Sequence, residues 1–216
     1  MLIRHVPAVG DAWHQARASG GWWLAALVLC EICSFAGYVE VFHRLLGGGR
    51  IDRTASWLIT MAGVAATRLL AAGGVGGIAL TSWALSRSGR AAGEVTVGVT
   101  SFLVALYAVF MLLLLLAAAL VLAGAGLGDA PQGVALTGLL IGAGALVLLL
   151  PWHDRVPDRV TGLLGRLERV RSGGDLLRSG LLRGRAALAD GRVVAGALVW
   201  WAFDIAALGL ALHRFG

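Results

Sequence analysis

One arginine and four glycines interrupt a long apolar region that spans residues 55–85. The arginine is Arg68, and the glycines that follow it are Gly73, Gly74, Gly76 and Gly77. A guanidinium binds phosphate through paired donors, and the N–H groups at the start of the next helix would also favour an anion. The segment therefore predicts an anion-binding site built around a broken helix.

Both features also have a structural explanation, which the sequence leaves open. Arg68 would equally serve as a clasp on a buried carboxylate or on carbonyl groups of the broken helix, and glycines allow helices to pack tightly. Glu31 and Asp204 lie near the middle of other apolar runs, where each would pair with Arg68, line a polar cavity or carry a proton. The substrate-binding residues predicted from the sequence are Arg68, Gly73, Gly74, Gly76, Gly77, Glu31 and Asp204.

Composition identifies the kind of protein that holds these residues. The chain has 216 residues, of which 58% are hydrophobic and 14% are charged. Residues 95–128 and 134–151 contain no charged side chain, and about 20 apolar residues are enough for a helix to cross the hydrocarbon core. The sequence predicts an all-α, polytopic membrane protein, with spanning helices at 22–42, 95–123, 133–150 and 193–212.

The charges and cysteines exclude several classes of function. All 18 basic residues are arginines and the formal net charge is +6, which in a membrane chain indicates cytoplasmic loops and anionic lipid headgroups rather than nucleic acid. Cys30 and Cys33 lie in an apolar run without a second pair or a nearby histidine, so they indicate packing rather than zinc. The sequence contains no nucleophile with a base, no metal-ligand cluster and no phosphate loop. We expect no catalytic residues, no metal and no cofactor.

The chain divides into four parts. Residues 1–20 form an amphipathic N-terminal segment that we expect at the membrane interface. Residues 21–150 hold transmembrane helices, and residues 193–216 form the last one. Between them, residues 151–192 carry nine arginines against five acidic residues, with leucines at helical spacing, and are predicted to be a basic, amphipathic cytoplasmic segment.

The charges beside the broken helix predict its shape. Arginines cluster before it, at 44–53, and after it, at 87–90, so the positive-inside rule places both ends in the cytoplasm. Residues 55–67 extend only about 20 Å, too short to cross a bilayer. A re-entrant hairpin at 55–85 satisfies both observations, with the glycines at its tip. Two short crossings, or one crossing that violates the charge rule, are the alternatives.

Three segments, 31–38, 66–79 and 201–204, resemble the transmembrane domain of the lysylphosphatidylglycerol synthase (flippase-like) family. The resemblance extends from about residue 20 to residue 216. It implies a protein of the bacterial inner membrane in which this domain moves aminoacylated phospholipid between leaflets. The soluble synthase domain has no counterpart here, so lipid aminoacylation is not implied.

The chain departs from this family at two places. Ala72 stands where the family has proline before the glycines, and the family's second motif, Pro-Gly-Gly-x-Gly, has no counterpart after 193–212. These departures predict a truncated member, with one helix missing before residue 1 and several after residue 216.

Together these observations predict a membrane protein that binds or translocates anionic or aminoacylated phospholipid, whose phosphate meets Arg68 and the glycine backbone. A second copy of the chain or a separate membrane protein would be its partner. A non-catalytic accessory or assembly protein is the main alternative. A membrane-embedded lipid or glycosyl transferase would require paired acidic residues at one interface, which the sequence does not show.

Overall fold

The computed structural model describes residues 21–69, 75–124, 132–149 and 168–215, and in these ranges the chain is helical without strands. The all-α prediction is confirmed, with the architecture expected for a polytopic helical membrane protein. The helices are α1 (Gly21–Phe42), α2 (Arg53–Leu69), α3 (Val75–Arg87), α4 (Ala92–Leu122), α5 (Gln132–Leu149), α6 (Glu168–Ala187) and α7 (Gly191–Phe215). A π-helical turn, His43–Gly47, extends α1. The predicted interfacial segment at 1–20 lies outside the described residues.

Three helices are long and apolar enough to cross a membrane: α1 with its π-helical turn, α4 and α7. A fourth apolar stretch, Gly133–Val147 in α5, is shorter. The protein is therefore a membrane protein, as the uncharged runs predicted. The predicted boundaries of these helices agree with the observed ones to within about three residues.

The helices α1 and α7 form the most extensive pairing in the described structure. They run antiparallel, since Trp23 donates to the carbonyl of Leu210 at one end and Gly37 meets Gly196 at the other. A Cβ atom added to Gly37 would lie 2.5 Å from the carbonyl oxygen of Gly196. The two backbones therefore touch, which is the usual role of small residues between membrane helices.

The long helix α4 lies at the centre of the bundle and packs against α5, α6 and α7. Its buried residues include Phe102, Ala105 and Leu106, and the indole N–H of Trp201 on α7 donates to the carbonyl of Leu106 at 3.0 Å. The helix α6 lies along the first half of α4. It belongs to the predicted basic segment 151–192, whose cytoplasmic location stays a prediction.

The glycines of α6 explain its close approach to α4. A Cβ atom on Gly180 would lie 2.5 Å from Cβ of Thr100, and one on Gly184 would lie 2.8 Å from the carbonyl oxygen of Ser101. The exposed face of α6 keeps Arg183 and other charged side chains at the surface. Leu177 and Leu182 of α6 are exposed as well, and the amphipathic character of residues 151–192 stays a prediction.

The helices α2 and α3 pack against each other as antiparallel arms, which we call the hairpin. Asp52 begins α2, because its Oδ1 accepts a hydrogen bond from the backbone N–H of Ala55 at 2.6 Å. Gly89, with φ +82°, ends the turn after α3. The arms hold 17 and 13 residues, so they extend about 25 Å and about 20 Å. The hairpin thus begins at residue 53 and ends at residue 87, two residues beyond the predicted range 55–85 on each side.

The two ends of the hairpin meet at one end of the bundle, as the charge pattern predicted. Arg50 Nη1 donates to the carbonyl of Gly89 at 3.4 Å. Arg90 Nη2 donates to the carbonyls of Leu46 and Gly47, the second at 2.8 Å. One straight crossing by residues 53–87 is therefore excluded. We call this end of the molecule, where Arg44, Arg50, Arg90 and Arg183 lie, the basic end.

Candidate functional site

A cavity of about 420 Å³ lies between the hairpin and the bundle, and we call it the hairpin cavity. The arms α2 and α3 form one wall, and α1, α4 and Trp200 of α7 form the other. Its volume is within the range of small-molecule sites, about 300–1,000 Å³. The hairpin wall consists of Thr60, Gly63, Val64, Thr67, Arg68, Gly77, Ile78 and Thr81.

The two arms cross closely within that wall. A Cβ atom on Gly77 would lie 2.7 Å from the carbonyl oxygen of Gly63, so the crossing leaves no room for a side chain. Thr67 Oγ1 donates to the same carbonyl at 3.0 Å. This close contact supports the view that Gly77 serves helix packing. Gly77 also lines the hairpin cavity.

Thr60 is the most unusual polar residue in this wall. Its side chain is 2% exposed, and its hydroxyl has no hydrogen-bond partner among the described residues. A helical threonine usually donates to the carbonyl four residues earlier, as Thr67 does to Gly63. A buried hydroxyl without a partner destabilises the fold by roughly 1–3 kcal/mol. The hydroxyl of Thr60 is therefore a buried polar group that the described part of the fold leaves unsatisfied.

The opposite wall is aromatic. The ring of Tyr38 packs edge-on against Phe102 and Trp200, with centroid distances of 5.0 Å and 4.9 Å. The ring centroid of Trp200 in turn lies 4.2 Å from that of Trp201. Tyr107 also lines the cavity. Both tyrosines lie in apolar runs of the sequence. Their arrangement around one cavity depends on contacts between helices far apart in the chain, which no local pattern encodes.

Arg68 lines the cavity near the end of α2, with an exposed side chain. Among the described lining residues it is the charged one, since the others are apolar, hydroxyl-bearing or glycine. No carboxylate in the described ranges forms an ion pair with it. A clasp on a carboxylate is thus not present in the part of the chain that the structure describes, and the carbonyl groups of residues 70–74, the other partner that the sequence allowed, lie outside that part.

Glu31 and Asp204 are placed elsewhere. Both are exposed and neither lines the hairpin cavity. They lie at nearly the same depth of the α1–α7 pair, because the contacts of Ser34 with Trp200 and of Trp23 with Leu210 fix its register. The structure therefore brings these two carboxylates to one level but does not bring them to Arg68.

The predicted glycines divide into two groups. Gly76 and Gly77 are buried and lie in the first turn of α3, which begins at Val75. Gly73 and Gly74 lie outside the described residues. The helix thus starts before the second glycine pair, and these two glycines belong to it rather than to the break.

At the basic end, unlike at the hairpin cavity, the arginines form ion pairs or hydrogen bonds with other groups of the protein. Arg44 Nε lies 3.1 Å from Glu40 Oε1, and Arg53 Nη1 lies 3.0 Å from the other oxygen of the same carboxylate. Arg183 donates to the carbonyl of Leu45 at 3.3 Å. Burial lowers the pKa of Arg90, and the neighbouring charge of Arg50 lowers it further, but an arginine remains charged at any physiological pH. These arginines hold the ends of α1, α2 and α3 together.

Groups that could hold a metal are not found in the described ranges, where no three His, Cys, Asp or Glu side chains come together. Cys30 and Cys33 are free thiols on α1.

Comparison with known proteins gives no relative: no family model matches the chain, and no curated protein or solved structure matches it either.

Proposed function

We propose that this membrane protein binds the headgroup of a phospholipid in the hairpin cavity and carries it between the two leaflets. The observation that supports this most strongly is Arg68, a guanidinium that lines the cavity without an ion-pair partner in the described ranges. A guanidinium in an apolar setting binds phosphate through charge-assisted, paired hydrogen bonds. An unpaired charge inside a membrane usually marks a pathway or a ligand.

The surroundings of the cavity suit a lipid. Leu69 and Val75, the last and first described residues of the two arms, are strongly exposed, and Ile78 is exposed as well as lining the cavity. Acyl chains would remain against such apolar surface while the headgroup occupies the cavity. The cost of moving a charged headgroup through hydrocarbon is thereby reduced, because protein groups replace its hydration.

The resemblance to the transmembrane domain of the lysylphosphatidylglycerol synthase family agrees with this proposal. It adds the expectation of an anionic or aminoacylated phospholipid and of a location in the bacterial inner membrane. The positive-inside rule separately predicts a cytoplasmic location for the basic end.

An accessory or assembly protein is the second candidate. The observation that favours it is the pair Glu31 and Asp204, two exposed carboxylates within candidate membrane spans. Such carboxylates are costly against lipid. A basic side chain from another membrane protein, or from a second copy of this chain, would neutralise them.

Leaflet exchange in proteoliposomes separates the two candidates. Acyl-labelled fluorescent phospholipids are reconstituted with the protein, and the loss of outer-leaflet fluorescence after addition of dithionite reports exchange. We expect wild type to exceed protein-free vesicles and Arg68→Ala to fall to the protein-free rate, since the phosphate then meets no charge.

Arg87→Ala is the matched control, because Arg87 is an exposed arginine of the hairpin that does not line the cavity. It should exchange lipid at the wild-type rate. Equal rates for Arg68→Ala and wild type, or a wild-type rate at background, would contradict the transport proposal.

A further inference from the structure

We infer that Tyr107 is a second headgroup-binding residue, whose phenol hydroxyl donates a hydrogen bond to the same phosphate that Arg68 binds from the opposite wall of the hairpin cavity. This inference rests on the proposed function and deepens it by assigning a further binding residue. It depends on the accessibility of Tyr107, on the direction of its hydroxyl and on the depth of both residues in the bundle.

Tyr107 is the accessible part of the wall that α4 contributes to the cavity. That wall consists of Val99, Phe102, Leu103, Leu106 and Tyr107. Phe102 and Leu106 are 4% and 1% exposed, whereas Tyr107 is 48% exposed. On the hairpin wall, Thr60 is buried in the same way, whereas Arg68 is exposed. Tyr107 and Arg68 are thus lining residues that a ligand can reach.

The hydroxyl of Tyr107 lies on the cavity side of α4. Its phenol group is close enough to that of Tyr38 for the two to interact electrostatically, and Tyr38 lines the cavity as well. The ring of Tyr107 also packs against Trp201, with a centroid distance of 6.0 Å. The indole N–H of Trp201 donates to the carbonyl of Leu106, so this contact between rings does not use the phenol hydroxyl.

The depth of Arg68 is measured from a contact at the basic end. Ser56 of α2 lies level with His43 of the π-helical turn, because its Oγ is 3.0 Å from Nδ1 of that histidine. Arg68 is 12 residues beyond Ser56 on the same helix, a rise of about 18 Å. Side chains on a helix incline toward its N-terminus, so the guanidinium of Arg68 reaches back from that depth toward the basic end and into the cavity.

The depth of Tyr107 follows from the same reference level. The ring of Phe102 packs edge-on against both Tyr38 and Phe42, so Phe102 lies level with the turn of α1 between them. Tyr107 is five residues further along α4, which places it about 12 Å from the reference level. The Cα atoms of the two binding residues therefore differ by only about 6 Å in depth.

A phosphodiester accepts both groups at once. Its two unesterified oxygen atoms carry the charge, and the guanidinium of Arg68 binds them through paired N–H donors. A phenol hydroxyl is also a donor, and hydrogen bonds from a hydroxyl to a charged oxygen are short and strong. Arg68 belongs to the hairpin and Tyr107 to the bundle, so the phosphate would be held between the two parts of the molecule.

Tyr107→Phe tests this inference, because it keeps the ring and its packing and removes the hydroxyl alone. Exchange is measured in proteoliposomes with acyl-labelled lipids and dithionite. We expect exchange of phosphatidylglycerol to slow about tenfold, the effect of one hydrogen bond to a charged group, and the unfolding temperature to remain that of wild type. Phosphatidylethanol has the same phosphodiester and should slow by the same factor.

A control lipid and a control variant assign the effect to the phosphate. Monoglucosyldiacylglycerol, labelled on its acyl chain, has a headgroup with hydroxyls but no phosphate, so its rate should be the same in wild type and in Tyr107→Phe. Thr96→Val is the matched variant, because Thr96 is an exposed residue of α4 that does not line the cavity. It should exchange phosphatidylglycerol at the wild-type rate.

The possible results separate this inference from the proposed function. If wild type exchanges no phospholipid, or if Arg68→Ala equals wild type, the proposed function fails. If Arg68→Ala abolishes exchange but Tyr107→Phe keeps the wild-type rate, slows the glycolipid by the same factor, or slows exchange together with a lower unfolding temperature, the inference on Tyr107 alone is wrong. Inorganic phosphate offers the same oxygen atoms without acyl chains. Excess amounts should not slow exchange, and inhibition would show that the cavity selects a soluble phosphate instead.

Discussion

The two ends of the hairpin differ in how their polar groups are satisfied. At the basic end, Arg90, Arg183 and Arg50 donate to backbone carbonyls, and Glu40 binds two arginines. At the hairpin cavity, Arg68 has no ion pair and the hydroxyl of Thr60 has no hydrogen bond in the described part of the chain. Buried atoms without a partner occur in both regions, since Arg90 Nε at the basic end shares this property with the Thr60 hydroxyl. The difference therefore concerns the charged groups: the arginines of the basic end bond to the fold, whereas Arg68 remains available to a ligand.

The largest effect on stability is expected at the basic end. Arg90→Ala removes the charged donor of the carbonyls of Leu46 and Gly47, and hydrogen bonds to charged groups contribute about 1.5–3 kcal/mol each. We expect the free energy of unfolding to fall by about 3 kcal/mol, measured by thermal unfolding in detergent micelles. Arg68→Ala should change it by less than about 0.5 kcal/mol. An equal loss for both variants would show that Arg68 is a structural residue.

The control for the first comparison is Arg185→Ala, an exposed arginine of α6. Its stability should remain that of wild type, since exposed charges contribute little.

An intermediate effect is expected where the arms cross. Gly77→Ala places a methyl group 2.7 Å from the carbonyl oxygen of Gly63, so the arms must separate. Overpacking of this kind destabilises by about 1–3 kcal/mol, and the separated arms would also change the shape of the hairpin cavity. We expect a lower unfolding temperature together with slower lipid exchange.

Gly144→Ala is the matched control for this substitution. Gly144 lies in α5, and nothing in the described structure lies within 4 Å of a Cβ atom added to it. Alanine is the better helix former by about 1 kcal/mol, so this variant should be as stable as wild type or more stable. A stable Gly77→Ala protein with wild-type exchange would show that the close crossing is not needed.

The smallest effect is expected at Thr60. Because its hydroxyl has no hydrogen bond within the described chain, Thr60→Val should not lower the free energy of unfolding and should raise it slightly. Ser56→Ala, on the same helix, should lower it by about 1 kcal/mol, because Ser56 Oγ donates to the carbonyl of Asp52 and bonds to His43. A clear loss of stability in Thr60→Val would mean that its hydroxyl has a partner in the folded protein.

Much of the fold follows from charge and hydrophobicity. Uncharged runs locate α4 and α5, and apolar runs that include acidic residues locate α1 and α7. The arginines at 44–53 and 87–90 predict that the hairpin ends meet, because both are held in the same polar layer. The sequence also predicts Arg68 as a site residue, because a lone charge in apolar sequence is conspicuous; this assignment stays a prediction.

The rest of the site depends on tertiary contacts that sequence reasoning does not supply. Threonine is common in membrane helices and normally bonds to its own helix, so nothing in the sequence separates Thr60 from Thr67. Whether Glu31 or Asp204 faces Arg68 depends on how their helices are rotated about their axes. Their positions in apolar runs do not determine this rotation. Tyr38 and Trp200 meet only because Gly37 and Gly196 allow α1 and α7 to touch.

The contact between Gly37 and Gly196 can form only late in biosynthesis. The helix α1 enters the membrane early, but its partner α7 begins at residue 191 and is made after every other described helix. Until then the glycine face of α1 has no partner, and Tyr38 lacks the indole against which it packs. The wall of the hairpin cavity that Trp200 provides is therefore completed only when translation has passed α7. A chain stalled before that point would hold Arg68 in the membrane without the finished wall that faces it.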